Sequence, residues 1–153
     1  STPRPAPSTP MKNVFLAALA AVFATALAFA GPNVDANAVA LAGHDPVAFF
    51  TDAKPVPGSP ELTAVHAGAI YRFASVAHRD LFVAAPSKYA PQYGGFCAFG
   101  VTKGAKFPVE IATWQVIDGR LFLNKNADVQ KKFNEDAAGY IVTADQKWPA
   151  LAK

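Results

Sequence analysis

Four side chains in this sequence carry an imidazole or a thiol: His44, His66, His78 and the single cysteine, Cys97. Imidazole and thiolate are the donors that copper and zinc prefer, and a thiolate is also a nucleophile. A structural zinc takes about four such ligands and a catalytic one about three plus water. No pair here has the C-x-x-C or H-x-x-x-H spacing that brings two ligands together locally. Any metal site must therefore be assembled by the fold. Cys97 follows Gly94-Gly95-Phe96, where two glycines permit a close approach of backbone or ligand. If a helix starts there, its amides favour the thiolate; otherwise Cys97 packs as a small apolar residue among Tyr93, Phe96 and Phe99. With no second cysteine it cannot run a dithiol cycle alone. Ser75 and His78 have the spacing of a helix cap, and no Ser–His–Asp arrangement stands out. Asp45 reads as a cap, Asp118 as a turn residue and Glu135-Asp136 as a solvated helix face.

The elements that must position these residues follow from local signals. "GPNVDANAVALAG" is a small-residue lead with a short strand expected at Ala38 to Leu41. In "GHDPVAFF", Asp45 before Pro46 predicts one helical turn through Phe50. "TDAKPVPGSP", with three prolines, reads as a loop that no regular element crosses. "ELTAVHAGAIYRFA" alternates on both sides of Ala67-Gly68, predicting strands at about 62–66 and 69–74, with His66 at an exposed strand end. "TWQVIDGRLFLN" predicts a second hairpin around Asp118-Gly119, a pair that tolerates the positive φ of a type I′ turn. Ser75 caps a helix that carries Val76, Leu81, Phe82 and Val83 and stops at Pro86. The apolar run after Gly95 fits a helix or a buried strand, and the helix is preferred. Val129, Phe133 and Ala137 share a helical stripe that Gly139 ends or bends, and helix resumes to Trp148-Pro149. The aromatic series Tyr71, Phe73, Phe82, Tyr89, Tyr93, Phe96 and Phe99 reads first as core and second as a pocket for a planar ligand. Strands and helices do not alternate as β-α-β units, so the class is α+β: one small domain with two β-hairpins packed against several short helices.

The start of the chain is different in kind. "STPRPAPSTP", residues 1–10, has no apolar period and reads as a disordered lead or a vector-derived remnant. Residues 11–30 then give a lysine, an apolar run from Val14 to Ala30 and an Ala28-Phe29-Ala30 exit, the pattern of a signal peptide cut before Gly31. The competing reading is a retained membrane anchor, since the run is near the minimum spanning length. Cleavage leaves residues 31–153 as a periplasmic or secreted domain with no stable membrane span. Of the 14 Lys and Arg, Arg4 and Lys12 leave with the lead, so 12 face 11 acidic residues. That balance, without a basic cluster, excludes nucleic acid as a partner. An exported chain with one thiol has no internal disulfide and must rely on its core.

"AGHDPVAFF", "YRFASVAHRDLF", "APSKYAPQYGGFCAFG" and "DGRLFLNKNADVQKKF" together resemble the YHS domain family, in particular its exported bacterial branch. The likeness runs from about Leu41 to Leu151. It implies a small α+β domain related to the TRASH type of heavy-metal module. Metal-binding members carry a Cys after "DPV" and an "F-C-S-x-x-C" helix entry. Here Ala48, Ala74 and His78 occupy those three places, so two sulfurs are absent and an imidazole stands in the third. What the resemblance leaves is a site of Cys97, His78 and His44 for copper or zinc. Three functions follow. One is an exported, non-enzymatic YHS-type protein handling a soft metal ion. Another is a metal-free module binding a small ligand or protein on a degenerate YHS scaffold. The third is a thiol-dependent enzyme at Cys97.

Overall fold

A computed structural model describes residues 1–7 and 31–153. Residues 1–7 are exposed and carry no regular element, and the proposed signal segment 11–30 lies outside the described residues. The described chain is α+β, with six α-helices and two antiparallel hairpins. The first hairpin pairs β1 (Ser59–His66) with β2 (Ala69–Phe73), turning at Ala67 (φ 48°) and Gly68 (φ 81°). Its register shifts between Ser59 and Thr63, a bulge that lets β1 begin inside the proline-rich segment instead of after it. The second pairs β3 (Gln115–Ile117) with β4 (Arg120–Phe122), with Asp118 at φ 51° and Gly119 at φ 74° as the Asp-Gly turn requires.

Strand alternation divides the interior in two. Ala69, Tyr71 and Phe73 point to one side of β2, where Val47, Phe49, Phe82, Leu121 and Leu123 complete the first cluster. Phe122 points the other way, into a second cluster with Tyr93, Ala98, Val101, Phe133 and Ala144. Residues 121 to 123 thus join both cores by the two-residue period of an extended chain. The aromatic series is core at Tyr71, Phe73, Phe82, Tyr89 and Tyr93, while Phe96 and Phe99 are half-buried.

Short helices fill the space around the hairpins: α1 (Ala48–Thr51), α2 (Val76–Ala84), α3 (Pro86–Tyr89) and α4 (Ala98–Thr102). Ser75 caps α2, its side chain accepting from the His78 amide at 3.1 Å. This helix gives the core only Phe82; Val76, Leu81 and Val83 face outward. The helical choice after Gly95 holds, since α4 follows Cys97 directly. The C-terminal stripe breaks earlier than Gly139 would place it. Helix α5 (Ala127–Asn134) ends before Asp136, which caps α6 (Ala137–Leu151) by accepting from Gly139 N at 3.1 Å. Pro149 lies inside α6, and the helix runs on to Leu151. The expected strand at 38–41 is reduced to single bridges, Val34 to Ala40 and Val39 to Ile70, because Ala38, Leu41 and Ala42 adopt positive φ.

Gly58 carries a strong steric constraint on the first hairpin. A Cβ there would stand 2.4 Å from the Arg72 carbonyl carbon, well inside contact distance. Gly58→Ala is expected to destabilise the protein by on the order of 1–3 kcal/mol, as overpacking against backbone does. A urea midpoint equal to that of the native chain would contradict this close approach.

Candidate functional site

Cys97 sits where the chain leaves three consecutive left-handed residues, Tyr93 (φ 57°), Gly94 (φ 61°) and Gly95 (φ 82°). The reversal aims its side chain inward, and the residue is 1 % exposed. Its sulfur accepts from the amides of Lys125 at 3.2 Å and Gly100 at 3.4 Å, and the thiol donates to Asn124 Oδ1 at 3.6 Å. Asn124, itself fully buried, also accepts from Phe99 N at 3.1 Å through that oxygen. Its Nδ2 has no partner among the described residues. Thr113 closes the cluster, bonding both the amide and the carbonyl of Asn124 at 2.8 Å. The sulfur thus caps the first turn of α4 and ties it to the residues that follow β4.

The histidines stand elsewhere. His78 on α2 donates through Nδ1 to Asp45 Oδ2 at 2.7 Å, and its Nε2 lies 3.3 Å from Thr51 Oγ1. Asp45 is fully buried, and its two oxygens also take the amides of Val47 (2.9 Å), Ala48 (3.3 Å) and Ala74 (2.9 Å). Asp45 is therefore not the N-cap that its position before Pro46 predicts, since α1 starts at Ala48 with Val47 as its N-cap; it holds the amides of the turn leading into α1 and is also the partner that orients His78. His44 bonds Leu41 O through Nδ1 at 2.9 Å. No hydrogen bond links the Cys97 sulfur to any imidazole, and among the described residues no three His, Cys, Asp or Glu side chains gather as a metal-holding group. The expected set of Cys97, His78 and His44 is not brought together. The physical reason is that the sulfur is turned into the α4–β4 junction while His78 is drawn to Asp45.

A groove of about 590 Å³ opens between the first hairpin, the segment around Tyr93 and the end of α6. Trp148, Tyr93, Pro32, Pro91 and Pro149 give it apolar walls, with Tyr71, His66, Gln92 and Asp145 among the polar contributors. The Trp148 ring packs against bare backbone at Gly94, where a Cβ would meet it at 3.4 Å, and lies 6.1 Å from the Tyr93 ring. At the rim, Asp145 accepts from Tyr93 OH at 2.9 Å and from Arg120 at 2.6 and 3.1 Å, while Arg120 also holds Gln92 Oε1 at 2.9 Å. Arg120 holds the Asp145 carboxyl below its ordinary range. His66 is half-buried, its ring edge-on to Phe82 at 5.9 Å, and so is not the exposed strand end expected of it. The groove was legible in sequence only as an aromatic series. Its walls come from residues 31–32, 66–71, 87–94 and 145–152, and no local spacing announces them.

No protein-family model, curated protein or solved structure matches the chain. The likeness to the YHS family rests on the motifs quoted above.

Two outcomes follow from this geometry. Cys97 is expected to resist iodoacetamide in the folded protein and to react once the chain is unfolded in guanidinium; rapid alkylation of the native state would restore a reactive thiol. Burial also pushes the Tyr71 hydroxyl up from 10.0 to about 12. The folded state therefore keeps a proton that the unfolded chain releases. Stability from this group is intact below pH 10 and falls between pH 10 and 12, by on the order of 2 kcal/mol. Urea unfolding at pH 8 and pH 11 checks this, and Tyr71→Phe should flatten the loss.

Proposed function

We propose that this chain is an exported, non-catalytic binding module on a YHS-type scaffold, whose site is the aromatic groove and whose ligand is a small planar molecule. One observation carries the reading: the thiol that a soft-metal cage or a thiol enzyme would need is spent on Asn124 and two backbone amides, within the protein's own framework. A thiol held this way is a packing and capping group, which is the common role of a buried free cysteine. The groove supplies what recognition needs instead. It is concave, mostly apolar, of ligand size, and walled by an indole and a phenol whose faces accept a flat partner.

A second reading keeps a soft metal ion such as copper or zinc, and the Asp45–His78 pair favours it. A carboxylate on Nδ1 fixes an imidazole with Nε2 outward, which is how proteins orient metal-binding histidines. Thr51 Oγ1 bridges from that nitrogen to Asp52 Oδ1, at 3.3 and 3.0 Å. This version uses His78 without Cys97 or His44, so its donors are harder than the thiolate set and fit zinc better than Cu(I).

The two readings part in one set of titrations on the purified protein. With 2-naphthamide as probe, the groove reading expects saturable binding that survives Cys97→Ser and weakens about tenfold or more in Trp148→Ala, the scale of losing an aromatic wall. With Zn(II) and Cu(I) in competition with a chelator, it expects no stoichiometric complex. A one-to-one metal complex abolished by His78→Ala, with no naphthamide binding, would replace it by the second reading.

A further inference from the structure

No local cluster of lysines stands in the sequence, yet the fold gathers four of them with four aromatic rings around the end of α4. Lys103 Nζ stands 5.4 Å over the Phe99 ring and Lys125 Nζ 5.1 Å over Phe107. Lys106 Nζ lies 5.7 and 5.8 Å over Phe96 and Trp148, and Lys147 donates to Thr102 O at 2.8 Å. Lys103, Lys125 and Lys147 are exposed, and no carboxylate pairs with them among the described residues. The face is continuous. Phe107 covers Gly100 in the middle of α4, where a Cβ would meet its ring at 2.7 Å, and its carbonyl takes the Cys97 amide. That ring is 40 % exposed, while Phe96, Phe99 and Trp148 are half-buried. Lysine stems lie along such rings and keep their ammonium groups in water. Apolar rings with cations spread between them are what an anionic lipid interface receives, the rings among the headgroups and the cations on the phosphates.

The path of the chain favours a membrane over a soluble acidic partner. The apolar run Val14 to Ala30 ends where the described chain resumes, at Gly31. Gly31 lines one cavity with Phe96 and the groove with Trp148. A Cβ on Gly94 would meet Pro32 Cα and the Trp148 ring alike at 3.4 Å. Asn33 fixes this entry, its amide donating to Gly94 O at 2.8 Å and its Nδ2 to Gly95 O at 3.1 Å. A segment apolar enough to enter a bilayer thus joins the domain beside Phe96, Trp148 and Lys106. The carboxylates lining the two cavities are engaged, Asp145 by Arg120 and Tyr93 and Asp35 by the amides of Asn37 and Val39. We propose that this face docks the domain peripherally on a bilayer containing anionic lipid, independently of what the groove holds. Lys103, Lys106, Lys125 and Lys147 meet headgroup phosphates, and Phe107 and Trp148 lie at the interface.

The test uses the full chain with Trp114→Phe, which leaves Trp148 as the only indole. Its fluorescence is titrated with vesicles of brominated phosphatidylcholine, with and without phosphatidylglycerol, since bromine quenches an indole only on contact. Strong quenching is expected with phosphatidylglycerol and little without it, and added salt should reverse it. A lysine close to an anionic surface contributes roughly fivefold in affinity. Lys103→Glu/Lys125→Glu is therefore expected to weaken the quenching interaction by about tenfold or more. Lys131→Glu/Lys132→Glu on α5 makes the same change in net charge and should leave it intact. Quenching that is equal on neutral vesicles, or indifferent to Lys103 and Lys125, means that the apolar run alone brings the chain to lipid and overturns the inference. Equal losses in the two double variants reduce the effect to net charge and overturn it as well. Lysine-dependent binding of polyglutamate without quenching by any vesicle would assign the face to an acidic polymer instead.

Discussion

A single buried carboxylate organises the half of the molecule that carries the first hairpin. Asp45 is fully enclosed, a placement that is costly for a charge unless each lone pair is met. Here one oxygen takes the amides of Val47 and Ala48, and the other takes Ala74 N and His78 Nδ1. The first pair sets the turn into α1. The second pins the end of β2 and the start of α2, about thirty residues away in the chain. Val47 and Phe49 from one segment and Phe82 from the other are thereby brought into the first cluster. Removing this carboxylate would strand three amides and an imidazole at once, so its worth lies in the number of groups it satisfies more than in any one contact.

The second half depends on a neutral counterpart. Asn124 follows directly on Leu123 and presents its oxygen to Phe99 N and to the Cys97 thiol. Thr113 holds the Asn124 backbone from the other side. Helix α4 is only five residues long, too short to be stable by its own hydrogen bonds. It persists because the sulfur caps its first turn and Ala98 and Val101 are buried against Phe122 and Phe133. A residue that sequence reading places at the centre of the chemistry proves to be a joint between elements. Cysteine suits the position because its side chain is small, tolerates burial and still accepts weak hydrogen bonds.

What the sequence discloses is what is local. The two hairpins are written in Ala67-Gly68 and Asp118-Gly119, the cap of α2 in Ser75, and the start of α4 in the glycines before Cys97. Each is a backbone demand met within a few residues. The boundary between α5 and α6 was misplaced because Gly139 looks like a terminator, whereas Asp136 three residues earlier accepts its amide and makes it part of a first turn. The proline-rich segment looks like loop throughout, because the register shift between Ser59 and Thr63 that lets β1 take in Pro60 is a feature of its pairing with β2, not of local sequence. Long-range pairings were the blind spot. Nothing near His78 announces Asp45, and nothing near Cys97 announces Asn124; both partners lie roughly thirty residues away. The ligand set drawn from family motifs assumed that donors at matching positions converge, and convergence is a tertiary property.

Geometry at Tyr93 connects the framework to the groove. Tyr93 is not glycine, yet it holds φ at 57°, a conformation that costs about 1 kcal/mol or more for a residue with a side chain. That backbone does two things at once. It begins the reversal that turns Cys97 inward, and it presents the Tyr93 ring to Phe122 on one side and Trp148 on the other, with its hydroxyl on Asp145. Because Asp145 and Arg120 are partly exposed, their pairing adds little net stability. Its effect is positional: α6, β4 and the Tyr93 segment are held in one relation, so the faces of Trp148 and Tyr93 keep a fixed distance. In the binding role proposed for the groove, a wall built this way is organised beforehand, so binding would not have to supply the entropy of assembling it. The same left-handed residue therefore contributes both to turning the thiol inward and to holding the aromatic cleft in place.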